Sequence, residues 1–187
     1  MKKIILSIAL MLTLSSFAQK VVVTPEGVRS ESDTTKDFFV IDVPGKTAAE
    51  LYTNVYNFIQ KTYKNPHLVI KGKVAGEFIH FMTHADKLVV AKAGFTKNIY
   101  DMTYVTQFDF KDGKVKLTFQ NFEFSPDVAA NNYKFNFKGG TFDGYSIYNK
   151  KGELKDEGAK SQIESYFISQ IDLLKSALDG NFKKEEW

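Results

Sequence analysis

Residues 100–119 read YDMTYVTQFDFKDGKVKLTF, and this stretch decides the fold. Before Lys111, apolar and polar side chains alternate with a period of two, as they do in a strand with one buried face. Asp112-Gly113 is typical of the two-residue type I′ turn of a β-hairpin. On the apolar face this turn predicts cross-strand partners that match, namely Phe110 with Val115, Phe108 with Leu117 and Thr106 with Phe119.

The opposite face of the predicted hairpin is polar. The same turn pairs Asp109 with Lys116 and Gln107 with Thr118, and a slip of one residue would move all of these side chains to the wrong faces. After Phe119 the apolar phase shifts, which predicts a β-bulge near Gln120 or Asn121. We interpret the polar face as a solvated sheet surface formed by Thr103, Gln107, Asp109, Lys116, Thr118 and Gln120.

A strand and a helix are predicted ahead of this hairpin. Residues 38–43 form a continuous apolar run of strand length, which is typical of a strand buried on both faces. Thr47-Ala48-Ala49-Glu50 fits a capping box, and apolar residues at helical spacing extend the helix to about Tyr63. Asn65-Pro66 ends it, because the residue before a proline is displaced from the helical region.

Further strands and one more helix complete the predicted order. Short strands are expected at residues 67–74, 77–83 and 87–91, with residues 84–86 as a break. Residues 125–158 are rich in aromatic side chains and predict either a long aromatic loop or a small β-ribbon. Residues 160–178 form an amphipathic helix with Gly180 as its C-cap, and its apolar face consists of Ile163, Phe167, Ile171, Leu174 and Leu178.

Residues 1–18 have the organisation of a cleaved signal peptide. Lys2 and Lys3 precede an apolar stretch at residues 4–14, and small residues lead to a predicted cleavage site after Ala18. The apolar stretch is shorter than the about 20 residues that a membrane-spanning helix needs. A lipid anchor would need a cysteine, and the chain has none. We therefore expect a soluble exported protein, periplasmic or extracellular, without a membrane anchor.

The predicted domain organisation follows from these segments. Residues 19–36 are expected to be a leader or linker, within which residues 21–23 could form an edge strand. Residues 37–180 form a single α+β domain, with residues 125–158 as an insertion and residues 181–187 as a C-terminal tail.

Composition excludes several classes of function. The chain has 187 residues, 25 Lys+Arg against 22 Asp+Glu, and no cysteine. The lack of cysteine excludes disulfides, thiolate zinc sites, iron–sulfur clusters and cysteine nucleophiles. A formal charge of +3 in a well-mixed sequence gives no case for nucleic acid. Arg29 is the only arginine. Because arginine is the residue that binds phosphate through two parallel hydrogen bonds, the chain is poorly equipped to bind phosphate in this way.

Three segments resemble the domain-of-unknown-function family with a TBP-like fold, found in secreted bacterial proteins. They are residues 39–52, which read FVIDVPGKTAAELY, residues 76–79, which read GEFI, and residues 104–124 with their Lys-Asp-Gly-Lys turn. The resemblance covers about half of the chain. It implies a twisted antiparallel sheet with two helices packed on one face, in the order β-α-β-β-β-β-α. It supplies no activity and no functional residues.

No catalytic, metal or cofactor site is predicted. His80 and His84 would lie about 13 Å apart on one strand, at roughly 3.3 Å per residue, which is too far for a single zinc ion. Asp101, Asp109 and Asp112 are candidate carboxylates, but Asp109 has a cross-strand lysine and Asp112 has a turn to form. Because no complete constellation is visible, we do not expect an enzyme.

The best sequence candidate for an interaction surface is the aromatic segment. Its members are Tyr133, Phe135, Phe137, Phe142, Tyr145 and Tyr148, which alternate with Lys and Asn around glycines, as in many recognition loops. Packing of the same residues over the sheet is the competing interpretation.

Two hypotheses of function follow. The first is an exported noncatalytic binding module that uses the open sheet face or the aromatic segment against an envelope or extracellular protein. The second is a small-ligand carrier with a pocket between the sheet and the C-terminal helix.

Overall fold

The computed structural model describes residues 20–93, 96–127, 133–139 and 144–182. The predicted signal peptide, Phe142 and residues 183–187 lie outside these ranges. The strands are β1 (Val21–Thr24), β2 (Gly27–Ser30), β3 (Phe38–Asp42), β4 (Ile70–Val74), β5 (Phe78–Ala93), β6 (Thr96–Lys111), β7 (Lys114–Pro126), β8 (Phe135–Lys138) and β9 (Tyr145–Tyr148). The helices are α1 (Ala48–Thr62), α2 (Pro66–Val69) and α3 (Glu157–Leu178).

Five strands form an antiparallel sheet in the order β3-β7-β6-β5-β4. Helices α1 and α3 pack on one face of it, so the predicted α+β order β-α-β-β-β-β-α is confirmed for the central sheet and its two long helices. The described chain adds the hairpin β1-β2, the single helical turn α2 and the two-stranded ribbon β8-β9.

The predicted hairpin register is confirmed. Phe110 pairs with Val115, and Asp109 lies opposite Lys116 with a salt bridge of 3.1 Å. Gly113 has a φ of +75°, which an L side chain rarely adopts. The predicted bulge is confirmed as well, because the pairing of β6 with β7 shifts between Thr103 and Val105.

The capping box that begins α1 is confirmed. The backbone N–H of Glu50 donates to the Thr47 hydroxyl, and the Glu50 carboxylate accepts from the backbone N–H of Thr47. The backbone N–H of Thr47, together with its hydroxyl, donates to the Glu50 carboxylate and holds the pKa of that carboxyl below its ordinary value. The Asp112 carboxylate accepts a further N–H from Ala48 at 2.8 Å, so the hairpin turn also ties down the start of the helix.

Three predicted strands need correction. The run at residues 38–43 is not buried on both faces, because the helices pack on one face of the sheet and Val40, which points to the other face, is 44% exposed. Residues 67–69 belong to the helical turn α2, since Pro66 has the fixed φ that suits the first turn of a helix. Residues 84–86 do not separate two strands, because β5 continues through them with a register shift between Ala85 and Val89.

Residues 21–30 are not a linker, because the edge strand considered at residues 21–23 is present as β1 and pairs with β2. Strands β1 and β2 form an antiparallel hairpin whose Val23 and Val28 are buried in the main core. The backbone N–H of Val23 donates to the Glu164 carboxylate in α3 at 2.9 Å. The turn between the two strands contains Pro25 and ends at Gly27, a composition that is typical of a β-turn. The folded unit therefore includes β1 and β2 and does not start near Asp37.

The C-terminal helix is confirmed with its predicted apolar face. Ile163, Phe167 and Leu178 are among its fully buried residues, and Gly180 follows the helix with a φ of +79°. The predicted tail at residues 181–187 is packed at its start, since the rings of Phe182 and Phe58 lie 4.7 Å apart.

Candidate binding surface

The face of the sheet opposite the helices is left uncovered by the described residues. Outward side chains of adjacent strands form rows across it, and one row runs from Val40 through Lys116, Asp109 and Phe78 to Val74. We call this surface the open face and define it by its outward residues, which are Phe38, Val40, Val74, Phe78, His80, Met82, Ile99, Thr103, Val105, Gln107, Asp109, Lys116, Thr118 and Gln120.

A line of hydrogen-bonded polar side chains crosses the middle of the open face. The Gln120 amide donates to the Gln107 carbonyl oxygen at 3.2 Å, and the Gln107 amide donates to the Asp109 carboxylate at 3.1 Å. Asp109 also pairs with Lys116, whose ammonium lies 5.7 Å from the centre of the Phe38 ring. The described polar groups here are therefore satisfied by one another, and their charges cancel.

Apolar side chains flank this polar line on both sides. Val40 lies on the side of β3, while Val74 and Met82 lie on the side of β4 and β5. Among the described residues, eight large hydrophobic side chains are exposed. Half of these are on the open face, namely Val40 (44%), Val74 (41%), Met82 (36%) and Ile99 (37%).

One end of the open face holds His84, Asp86 and Asp101. The Nε2 atom of His84 lies 3.0 Å from an Asp86 oxygen and 3.9 Å from an Asp101 oxygen. Sequence reasoning missed this cluster because Asp101 arrives from the neighbouring strand through the β5–β6 register. The spacing of His84 and Asp86 was its only local signal.

The other candidate residues for chemistry are separated from this cluster. His80 packs its ring over the backbone of Gly72 and beside Phe78, so it shares no site with His84. Asp109 bonds to Lys116 and Asp112 bonds to the start of α1. The structure therefore brings only Asp101, of the three predicted carboxylates, near a histidine.

The aromatic segment is mostly used in packing. Phe135 is buried, with its ring 5.1 Å from that of Tyr100 and 4.8 Å from that of Phe124. Phe137 lies against Phe124 and the neighbouring Phe122.

The segment forms the parallel ribbon β8-β9 on the helix side of the sheet. Tyr148 is buried and its hydroxyl donates to the backbone carbonyl of Val23. Tyr145 is half-buried, whereas Tyr133 is 62% exposed. Burial of Phe135 and Tyr148 therefore favours the competing interpretation, packing over the sheet. Among the described members of the segment, Tyr133 is the most exposed ring.

The layer between the sheet and α3 is filled by aromatic rings. Phe167 lies 4.6 Å from Phe119 and 5.1 Å from Tyr104. Burial raises the pKa of Tyr104 well above its ordinary value, and its hydroxyl lies 2.9 Å from that of Tyr166. A hollow of about 280 Å³ lies elsewhere, at the start of α1, where it is lined by Lys46, Ala49, Glu50, Thr53 and Asn54.

The uncovered five-stranded sheet with helices on its other face defines an α+β domain of the TBP-like class. Residues 39–125 match the family described as "Domain of unknown function (DUF4468) with TBP-like fold", and this segment of the chain belongs to that family.

Two solved structures are similar to this chain. A DUF4468 family protein from Bacteroides ovatus matches with a TM-score of 0.50 at 14% identity, covering 80% of this chain and 88% of that one. A TBP-like protein from Parabacteroides distasonis matches with a TM-score of 0.37 at 14% identity, covering 74% and 90%. No curated protein matches the chain. The first similarity supports the fold and assigns no function.

Within the part of the chain that the structure describes, no helix has the length and apolar content needed to cross a membrane.

Proposed function

We propose that this chain is an exported noncatalytic binding module that docks a protein through the open face of its sheet. The observation that carries the proposal is the uncovered face itself, with apolar side chains on either side of a hydrogen-bonded polar line. A mixture of apolar and polar groups is typical of non-obligate protein interfaces.

The polar line lowers the cost of covering this face. A polar group that loses water without gaining a partner costs free energy on binding. Gln120, Gln107, Asp109 and Lys116 already bond to each other, so a partner can remove their water while those bonds remain. Burial of the flanking Val40, Val74 and Met82 then contributes the hydrophobic term, at roughly 25 cal/mol per Å² of apolar surface.

The charge of the open face favours a protein over a polyanion. Lys116 is balanced by Asp109 at its centre, and Asp86 and Asp101 lie at one end. Nucleic acids and anionic lipid surfaces are captured by clusters of unbalanced lysine and arginine, which these positions do not supply. The part of the partner that covers the centre of the open face is therefore an uncharged mixture of apolar and polar side chains.

The small-ligand carrier is the second candidate that the sequence left open. Its expected pocket lies where the rings of Phe119, Tyr104 and Phe167 are packed together, so no described feature favours it. A bound small molecule seen by native mass spectrometry, unaffected by changes on the open face, would favour the carrier instead.

The docking proposal is tested by comparing variants in a pull-down from envelope extract. The mature chain, Met82→Glu and Val74→Glu serve as baits, since both substitutions place a carboxylate among the exposed apolar side chains of the open face. We expect the unsubstituted chain to retain at least one protein. The amount of that protein retained should fall about tenfold or more with each variant, which corresponds to about 1.4 kcal/mol of binding free energy.

Ile168→Glu is the matched control, because Ile168 is 40% exposed but lies on α3. Circular dichroism verifies that each bait is folded. Retention that falls equally with Ile168→Glu, or that falls only with Tyr133→Ala, would contradict docking through the open face.

Export is tested separately by the N-terminus of the secreted protein. The basic and apolar regions of residues 1–18 lead us to expect a mature chain that begins at Gln19. Intact-mass measurement of material from the periplasm and the medium checks this. A chain that still carries Met1 would contradict cleavage.

A further inference from the structure

We propose that His84, Asp86 and Asp101 form a binding site for a divalent transition-metal ion at one end of the open face. One ligand atom from each residue lies within 4.8 Å of the other two. An imidazole nitrogen and two carboxylate oxygens are ligands that zinc takes in proteins. The inference concerns the chain alone and does not depend on docking of a protein partner.

The orientation of His84 suits a metal ligand. Its Nδ1 atom lies 3.0 Å from the Thr103 hydroxyl, on the same outward face of the neighbouring strand. With its proton on Nδ1 and donated to Thr103, His84 would offer the lone pair of Nε2 to an ion between the two carboxylates. That ion would take the place of the Nε2 proton that otherwise bridges to Asp86 at 3.0 Å. A histidine that binds a metal commonly donates its other ring nitrogen to such a second group, which fixes both the tautomer and the ring plane.

The backbone brings the three ligands together from two strands. The register of β5 shifts between Ala85 and Val89, and Lys87 within this bulge has a φ of +51°. The backbone N–H of Lys87 donates to one Asp101 oxygen at 2.7 Å. The other Asp101 oxygen remains on the side of His84, so the carboxylate is held in position by the bulge.

The charge of the cluster favours a dication. The cluster brings two carboxylates, those of Asp86 and Asp101, to one imidazole. The side chain of Lys87, which lies in the same bulge, pairs instead with Asp127 at 3.4 Å. Asp101 is only 20% exposed, so its charge is less well solvated than that of a free surface aspartate. A bound dication would neutralise both carboxylates.

The separations require only a small adjustment. Ligand atoms around a tetrahedral zinc ion are about 3.3 Å apart when the bonds are about 2.0 to 2.1 Å long. The two separations from His84 Nε2, 3.0 and 3.9 Å, bracket that value. The Asp86 side chain is 83% exposed and can rotate to complete the set. Three protein ligands leave the fourth position to water, as in zinc sites with an open coordination position.

The proposal is tested with zinc and the purified mature chain, using isothermal titration calorimetry and thermal melts. At a zinc concentration of about 100 times Kd, we expect the Tm to rise by about 5 to 10 °C. Asp86→Asn and His84→Ala should each weaken zinc binding by more than about tenfold. Cobalt(II) gives a second readout, because its visible absorption should report a nitrogen and oxygen ligand set that is lost in both variants.

His67→Ala is the control, since His67 is exposed on α2 and has no carboxylate of this cluster beside it. Asp86 is mostly exposed, so Asp86→Asn tests a ligand without disturbing the core. No heat of binding and no shift in Tm at millimolar zinc would overturn the proposal. Binding that is unchanged in Asp86→Asn and His84→Ala, or that is lost in His67→Ala, would overturn it equally.

Discussion

Replacing Phe167 with alanine is expected to lower the free energy of unfolding by about 3 to 5 kcal/mol. The Phe167 side chain is fully buried on α3. Its ring lies 4.6 Å from that of Phe119, 5.1 Å from that of Tyr104 and 5.9 Å from that of Phe122. Removing it leaves a cavity between the helix and two strands that these rigid rings cannot fill. Equilibrium unfolding in urea measures the loss.

Ile168→Ala is the control for this prediction. Ile168 is the next residue of the same helix, but it is 40% exposed. Its replacement keeps the helix propensity high and removes little buried surface, so we expect a change of about 0.5 kcal/mol or less. Similar losses for both variants would mean that α3 does not pack on the sheet through the face described.

Val23→Asp is expected to destabilise the protein by more than about 4 kcal/mol, enough to abolish the folded state of a marginally stable domain. Val23 is fully buried in the hairpin β1-β2, and its backbone lies against Glu164 and Tyr148. An aspartate there would place an unpaired carboxylate in an apolar core next to a second carboxylate. Circular dichroism and the midpoint of thermal unfolding measure the effect.

Val22→Asp provides the matched comparison. Val22 is on the other face of the same strand and is only partly buried, with Arg29 as its cross-strand partner. A carboxylate at this position meets a positive charge, so we expect a change of about 1 kcal/mol or less. Equal losses of stability in Val23→Asp and Val22→Asp would mean that the hairpin is a peripheral leader and not part of the core.

The central hairpin and the first helix could be predicted because their signals are local. Asp112-Gly113 determines the turn, and alternation on both sides then leaves a single register that matches apolar partners. Thr47 and Glu50 cap each other within one helical turn. In each case all the interacting residues lie within a short window of sequence.

The errors arose where distant parts of the chain decide the structure. Val40 is apolar yet exposed, because both long helices pack on the other face of the sheet, and that arrangement is a property of the whole topology. Val21 and Val23 are buried because α3, more than 130 residues later, covers them. The turn from Pro25 to Gly27 is a local signal of a hairpin, but no local pattern shows that this hairpin packs into the core.

The surface features were predictable to different degrees. The polar side of the hairpin could be predicted from the alternation of Gln107 and Asp109 with apolar residues. The position of Val74 and Met82 beside it could not, because it depends on the order of the strands in the sheet. The cluster at His84 depends on a bulge that brings Asp86 and Asp101 together across two strands. Burial of Phe135 required knowing that the ribbon lies over Tyr100.

The contact between β1 and α3 also constrains the order in which the chain can fold. The first strand finds its hydrogen-bonding carboxylate at Glu164, 141 residues away, and β3 pairs with β7 across a long intervening segment. Contacts so distant in sequence are slow to form because a large loop must close first. A chain delivered N-terminus first, from a ribosome or through a narrow pore, therefore cannot complete its core until α3 has been released.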